Sequence, residues 1–250
     1  MNTKKRALSF ALLMLIGAPP RPVHADEASL DAEALKIYSP GITQGERELE
    51  SILFTTKGHQ QGYAFSAGYS PTAYWQAEVY EVYHRDPGAA LISDDVEVEN
   101  RFAFGTPGQL WLDLGAAAEF EIPQQPGDHG VAQFAPILEK QFGPALVSLN
   151  LPLKWQYGPG CKPGTTFGYA ARAEYLLRPA ISPALEAFGE PGVIGRFSGT
   201  ADQTHLAGPA IYGAAHVAAR TTLRYSVASL FGLTPSSPGR TLVARLELEF

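Results

Sequence analysis

Chemistry in this chain would have to be carried by carboxylates, histidines or a single thiol. The histidines beyond residue 25 are His59, His84, His129, His205 and His216. No His-x-Ser pair occurs, and none of the five sits beside a serine in a segment whose phase would aim both at one face. A nucleophile activated by an imidazole base is therefore not spelled out. Asp94 and Asp95, close to "HRDPG", offer a divalent ion far fewer oxygens than calcium gathers, and a solvated loop is the simpler reading. Cys161, in "GPGCKPG", is the only cysteine, which excludes an intrachain disulfide and a thiolate metal cluster. No catalytic residue, metal site or cofactor is read from these types. What the acids do have is a pattern: Glu97, Glu99, Asp113, Glu119, Glu121, Glu174 and Glu247, with Arg101, Lys154, Arg172 and Arg245, occupy alternate positions with apolar residues between them. That spacing lines one face of a strand with charge.

The elements that would carry such a face are long strands. In "QLWLDLGAAAEFEIP", Leu110, Leu112, Leu114, Ala116, Ala118, Phe120 and Ile122 form one face, while Asp113, Glu119 and Glu121 lie on the other. "ALVSLNLPLKWQYG" repeats the period, with Val147, Leu149, Leu151, Leu153, Trp155 and Tyr157 opposite Ser148, Asn150, Lys154 and Gln156; Pro152 breaks the polar side and predicts a bulge or kink. "TTFGYAARAEYLLR" sets Arg172, Glu174 and Arg178 against aromatic and apolar positions. Less regular stretches at 46–57, 61–70, 73–84, 91–104, 130–142, 183–190, 204–217 and 221–232 join 109–122, 145–157, 165–178 and 240–250 to make twelve. The weakest, 183–190 and 204–217, are rich in Gly, Ala and Pro.

Alternation alone fits a soluble sandwich as well as a membrane barrel. Length separates them, because a tilted spanning strand needs about nine to eleven residues and sandwich strands run about five or six. Alternate connections also differ: "SPT", "GTPG", "GP" and "AAR" are brief, whereas "HRDPGAALI", "PQQPGDHG", "GPGCKPGTT", "GVIGRFSGTADQ" and "GLTPSSPG" are long. Short turns at one end, long loops at the other and aromatic residues near the strand ends, among them Tyr74, Trp75, Trp111, Phe142, Trp155 and Phe250, are the marks of an outer-membrane barrel. The fold expected is all-β: a closed, antiparallel, up-and-down transmembrane β-barrel of about twelve strands over residues 45–250.

Residues 1–25 read as a cleaved secretory signal, with Lys4, Lys5 and Arg6 ahead of an apolar run and Val23 and Ala25 at cleavage spacing. Residues 26–44 then form a short periplasmic N-terminal segment. Removal of the signal takes the formal charge from −6 to −10, which argues against nucleic acid as a partner. No segment is long and apolar enough to cross a membrane as a helix.

The last strand, "TLVARLELEF", with Leu246, Leu248 and the aromatic Phe250 on one face, resembles the C-terminal strand of Gram-negative outer-membrane barrels. That resemblance implies a recognition signal for the barrel assembly machinery and a location among outer-membrane lipids. "KIYSPGITQGERELE", "YWQAEVYEVYH" and "DDVEVENRFAFG" further resemble the MetA-pathway-of-phenol-degradation type of outer-membrane proteins, commonly labelled transporters. The resemblance brings no catalytic residues. The function expected is non-enzymatic passage or binding of a small organic or cationic solute through an acidic lumen, lined by the eleven charged residues named above. The alternatives are a plugged structural or binding barrel acting through its external loops, and, further off, an outer-membrane lipid hydrolase.

Overall fold

The computed structural model describes residues 35–250; the expected signal and residues 26–34 of the segment at 26–44 lie outside the described residues. Twelve antiparallel strands close on themselves. They are β1 (Arg47–Thr56), β2 (Gln61–Thr72), β3 (Trp75–Arg85), β4 (Ile92–Ala103), β5 (Asp113–Pro123), β6 (Gly130–Phe142), β7 in two arms (Ala145–Asn150 and Leu153–Tyr157), β8 (Thr166–Tyr175), β9 (Ser182–Val193), β10 (Thr204–Ala218), β11 (Thr221–Gly232) and β12 (Arg240–Glu249). Each pairs with its sequence neighbours, and β12 returns to β1 with Glu249 opposite Glu48. The seam is completed by Arg47 and Phe250, each donating its backbone N–H to the other's carbonyl at 2.9 Å. Closure leaves no unpaired edge, which is the condition for a sheet to sit in hydrocarbon.

The two faces of the wall are inverted relative to a soluble protein. Leu49, Phe65, Val79, Phe120, Ile122, Phe134, Leu185, Ile211, Val227, Leu242 and Leu246 point outward and stand exposed, while Glu48, Glu50, Glu78, Glu97, Glu99, Glu119, Glu139, Glu186 and Arg245 point inward and are buried. In water this arrangement would be unfavourable on both counts, since it exposes apolar area and buries charge. A hydrocarbon surround with a polar interior reverses both signs. Tyr69, Tyr74, Trp75, Phe102, Phe104, Trp111, Phe142, Tyr175 and Phe250 cluster near the end of the barrel that holds the seam residues Arg47 and Phe250. There Lys140 lies over the Trp111 ring at 5.4 Å and Trp75 donates to Asn100 at 3.0 Å, the polar tips of an interfacial girdle.

The connections largely alternate in length as expected. At the seam end they are residues 73–74, 104–112, 143–144, 176–181 and 219–220; at the other end they are 57–60, 86–91, 124–129, 158–165, 194–203 and 233–239. Two depart from the pattern. The β1–β2 turn is brief although it lies at the long-loop end, and β5 starts at Asp113 rather than near 109, so Leu110, Trp111 and Leu112 belong to the β4–β5 connection. Those three alternate with the strand and are apolar because they sit at the girdle, not because they pair in the ladder. Leu112 is thus no mid-membrane residue.

Pro152 interrupts β7. Asn150 is in register with Ile137 and Leu153 with Phe134, so the register carries across without a bulge; the Leu151 N–H still donates to the Pro136 carbonyl at 3.1 Å, and only the bond that Pro152 would donate is missing. A proline without an N–H cannot continue the pairing. Gly168 of β8 instead donates to the Pro152 carbonyl at 2.8 Å, and a Cβ on Gly168 would press against the Pro152 ring.

Candidate functional site: a lumen crossed by the N-terminal segment

The described part of the N-terminal segment does not lie beside the barrel. From Leu35 to Pro40 the chain runs inside it, held by side chains of strands far away in sequence. Arg245 of β12 donates to the Leu35 carbonyl. Asn150 of β7 grips the Tyr38 backbone from both sides, accepting from its N–H at 2.7 Å and donating to its carbonyl at 3.1 Å. Arg101 of β4 donates to the Ser39 carbonyl at 3.2 Å, and the Ser39 hydroxyl donates to Glu139 at 2.9 Å. An irregular backbone at membrane depth needs such partners, because lipid and a dry wall offer none.

Lys36 is the centre of this arrangement. Its Nζ lies 2.8 Å from Glu50, 3.3 Å from Glu78 and 3.9 Å from Glu99, donates to the Tyr80 hydroxyl, and stands 4.7 Å from the centre of the Tyr80 ring. Burial draws the ammonium's pKa down, but Glu50, Glu78, Glu99 and Glu48 outweigh it and hold the group well above the usual lysine range. Tyr38 donates its hydroxyl to Glu99 at 2.8 Å; burial, reinforced by the Glu99 and Glu119 carboxylates, pushes that phenol well up. Around them the wall supplies further pairs. Ser66 and Gln76 donate to Glu78 and Glu48, Ser148 donates to Glu139 at 2.7 Å, Arg172 lies 3.5 Å from both Glu139 and Glu174, and Arg245 lies 3.1 Å from Glu186. Arg172 also covers the Tyr212 ring at 4.7 Å.

Beyond the insert, toward the long-loop end, the lumen widens into a cavity of about 130 Å³. One wall is apolar, formed by Leu35, Ala170, Phe188 and Leu206; the other carries Glu97, Glu119, Glu121, Gln133 and Lys154, and Glu190 and Thr204 stand toward the outer end. A ligand-atom position on each of Glu97, Glu119 and Glu121 falls within 4.8 Å of the other two. All three acids and Lys154 are engaged in interactions within the lumen.

The barrel shares its architecture with solved proteins. The NanC porin aligns with a TM-score of 0.57 at 11% identity, covering 81% of this chain and 98% of that one. An outer membrane channel from Pseudomonas putida F1 aligns at 0.57 and 13% identity, covering 84% and 97%. The fold is that of outer-membrane porins. A KdgM porin, solved in complex with disordered oligogalacturonate, aligns at 0.53 and 7% identity over 81% and 98%. No protein-family model matches the sequence, and no curated protein matches it significantly.

Of the residues singled out in the sequence, the barrel gathers Glu97, Glu99, Arg101, Glu119, Glu121, Lys154, Arg172, Glu174 and Arg245 on its inner face. Asp113 lies at the seam-end rim, where it accepts from the Gly108 N–H at 2.7 Å and so shapes the β4–β5 connection. Glu247 and Glu249 sit at the same rim with the half-exposed Arg224. Leu246 and Phe250 face outward on β12. Asp94 and Asp95 lie in β4 and not in a solvated loop, because the strand starts at Ile92, and Asp94 pairs there with His84. Sequence reasoning missed Glu186, the partner of Arg245, because its strand is broken by Gly, Ala and Pro. It also missed Lys36 and Tyr38, because an irregular segment has no period to betray which way its side chains point; Asn150 falls on the polar face of its strand in the sequence, but its hold on the Tyr38 backbone is not legible there.

Proposed function

We propose that the chain is an outer-membrane barrel that passes or binds a small solute through its acidic lumen. The observation that carries this reading is the cavity of about 130 Å³ between the insert and the long-loop end, with carboxylates on one wall and Leu35, Phe188 and Leu206 on the other. A pocket of that character suits a small organic molecule with an apolar body and a hydrogen-bond donor or positive charge. Twelve strands enclose more space than eight, which side chains fill, and less than sixteen, which hold open water. The likeness in fold to porins supports the same reading, as does the apolar exterior with its girdle. The outward-facing Leu246 of β12 and Phe250 beside it support the barrel assembly machinery as a partner. A plugged barrel is the second reading, and what favours it is the insert held from Leu35 to Ser39 by five strands. A hydrolase has less behind it: the His84 ring pairs with Asp94, that of His205 with Tyr169 and Gln203, and that of His216 with Thr222, and none of these contacts is with a serine.

Ion conductance of the folded barrel in planar bilayers tests the proposal. Discrete steps support a passage, and blockade by an added solute would identify what it takes. An inserted barrel that carries no current and whose intrinsic tryptophan fluorescence no small solute perturbs overturns it.

A further inference from the structure

The inward face carries more acids than bases, and most of its cations are already matched on the wall itself: Arg245 to Glu186, and Arg172 to Glu139 and Glu174. The ring of Glu48, Glu50, Glu78 and Glu99 is different. Its matching cation is Lys36, which belongs to the insert and not to the wall, and whose side chain also borders the cavity. Taking the passage described above as given, we propose that Lys36 is the residue that sets its charge selectivity. By offsetting part of the carboxylate ring's charge from within, Lys36 weakens the preference for cations that the acidic lumen would otherwise show. The geometry fits that role better than a purely structural one. The insert is already held by four hydrogen bonds from the wall to its backbone, at Leu35, Tyr38 and Ser39, that do not involve Lys36, whereas Lys36 is the cation at ion-pair distance from Glu50, Glu78 and Glu99.

A unit charge about 10 Å from a permeating ion in water alters that ion's local concentration about twofold, in opposite directions for cation and anion, so losing Lys36 raises the cation-to-anion ratio about fourfold. The test is the reversal potential under a potassium chloride gradient, at alkaline pH, for the native barrel, Lys36→Met, Lys36→Arg and Lys57→Met. Lys57 is exposed in the β1–β2 turn and removes the same charge from the outside. The expected result is a ratio about fourfold higher in Lys36→Met, with Lys36→Arg and Lys57→Met at the native value. The double variant Lys36→Met with Glu50→Gln removes one charge of each sign and returns the ratio toward native, and Lys36→Gln, which keeps a hydrogen-bond donor for the ring, reads the same loss of charge where Lys36→Met folds poorly. Conducting barrels whose ratio is the same with and without Lys36 overturn the inference and leave the passage standing. Inserted barrels that are silent in every form overturn both.

Discussion

Replacing Val227 by arginine separates a membrane wall from a soluble one. Val227 is the seventh of the twelve residues of β11, faces outward between Ile211 and Ala244, and is 56% exposed. At a rise of about 3.4 Å per residue and a tilt of about 40°, each residue climbs about 2.6 Å along the membrane normal, which puts Val227 about 16 Å from one end of the strand and about 13 Å from the other. That is the middle of an apolar band about 25 Å tall, where an outward arginine costs about 2–4 kcal/mol. At an exposed site in water the same change falls within about 0.5 kcal/mol. Urea titration of the barrel refolded into lipid vesicles, followed through Trp75, Trp111 and Trp155, reads the difference, with Val227→Leu as the control. A loss below about 1 kcal/mol for Val227→Arg would refute the assignment of the outer face to lipid.

Further outcomes follow from the interior. Glu186→Ala strands the buried Arg245 guanidinium and is expected to destabilise the barrel by about 3–5 kcal/mol, whereas Glu186→Ala combined with Arg245→Met recovers much of that loss; the same urea titration checks both. Asn150→Ala removes both grips on the Tyr38 backbone, costs about 1–3 kcal/mol, and increases hydrogen exchange at Tyr38 above that of its neighbours in β1. Gly208→Ala drives a Cβ into the backbone of Ser229 on β11, so the variant is expected to lose about 1–3 kcal/mol although only a methyl group is added. The Lys36 pKa is raised on folding, so its stabilisation is complete below the ordinary lysine value of about 10.4 and is lost only as pH climbs through the higher folded value. Protection of the amides at residues 35–40, each exchange rate divided by its base-catalysed intrinsic value, should therefore hold up to about pH 10 and fall only beyond it.

The strands were legible because a barrel wall between lipid and a polar lumen imposes a strict period of two. In β12 it reads directly as Leu242, Ala244, Leu246 and Leu248 against Val243, Arg245, Glu247 and Glu249, and even the glycine- and alanine-rich β9 and β10 fall where turn spacing puts them. The interruption of β7 at Pro152 was legible for a local reason, the missing N–H, although no bulge accompanies it and the register is kept on both sides. The start of β5 was not, since girdle residues such as Trp111 are apolar without being paired. The interior was legible only as a face. Alternation tells which residues look inward and says nothing of what they meet, so Glu97 and Glu119 could be placed on the lumen but Lys36, whose partners lie up to 63 residues away, could not be placed at all.

The contact from Arg245 to Leu35 joins residues 210 apart. The two strands of the seam lie at opposite ends of the chain, so the wall becomes a ring only when the last strand meets the first. A segment tied to β1, β3, β4, β7 and β12 at once has its full set of partners only in the closed ring. Full capture of the insert therefore cannot precede closure, the step that joins the two ends of the chain across the longest loop. Weakening the insert's contacts should then speed the opening of the barrel more than it slows its closure.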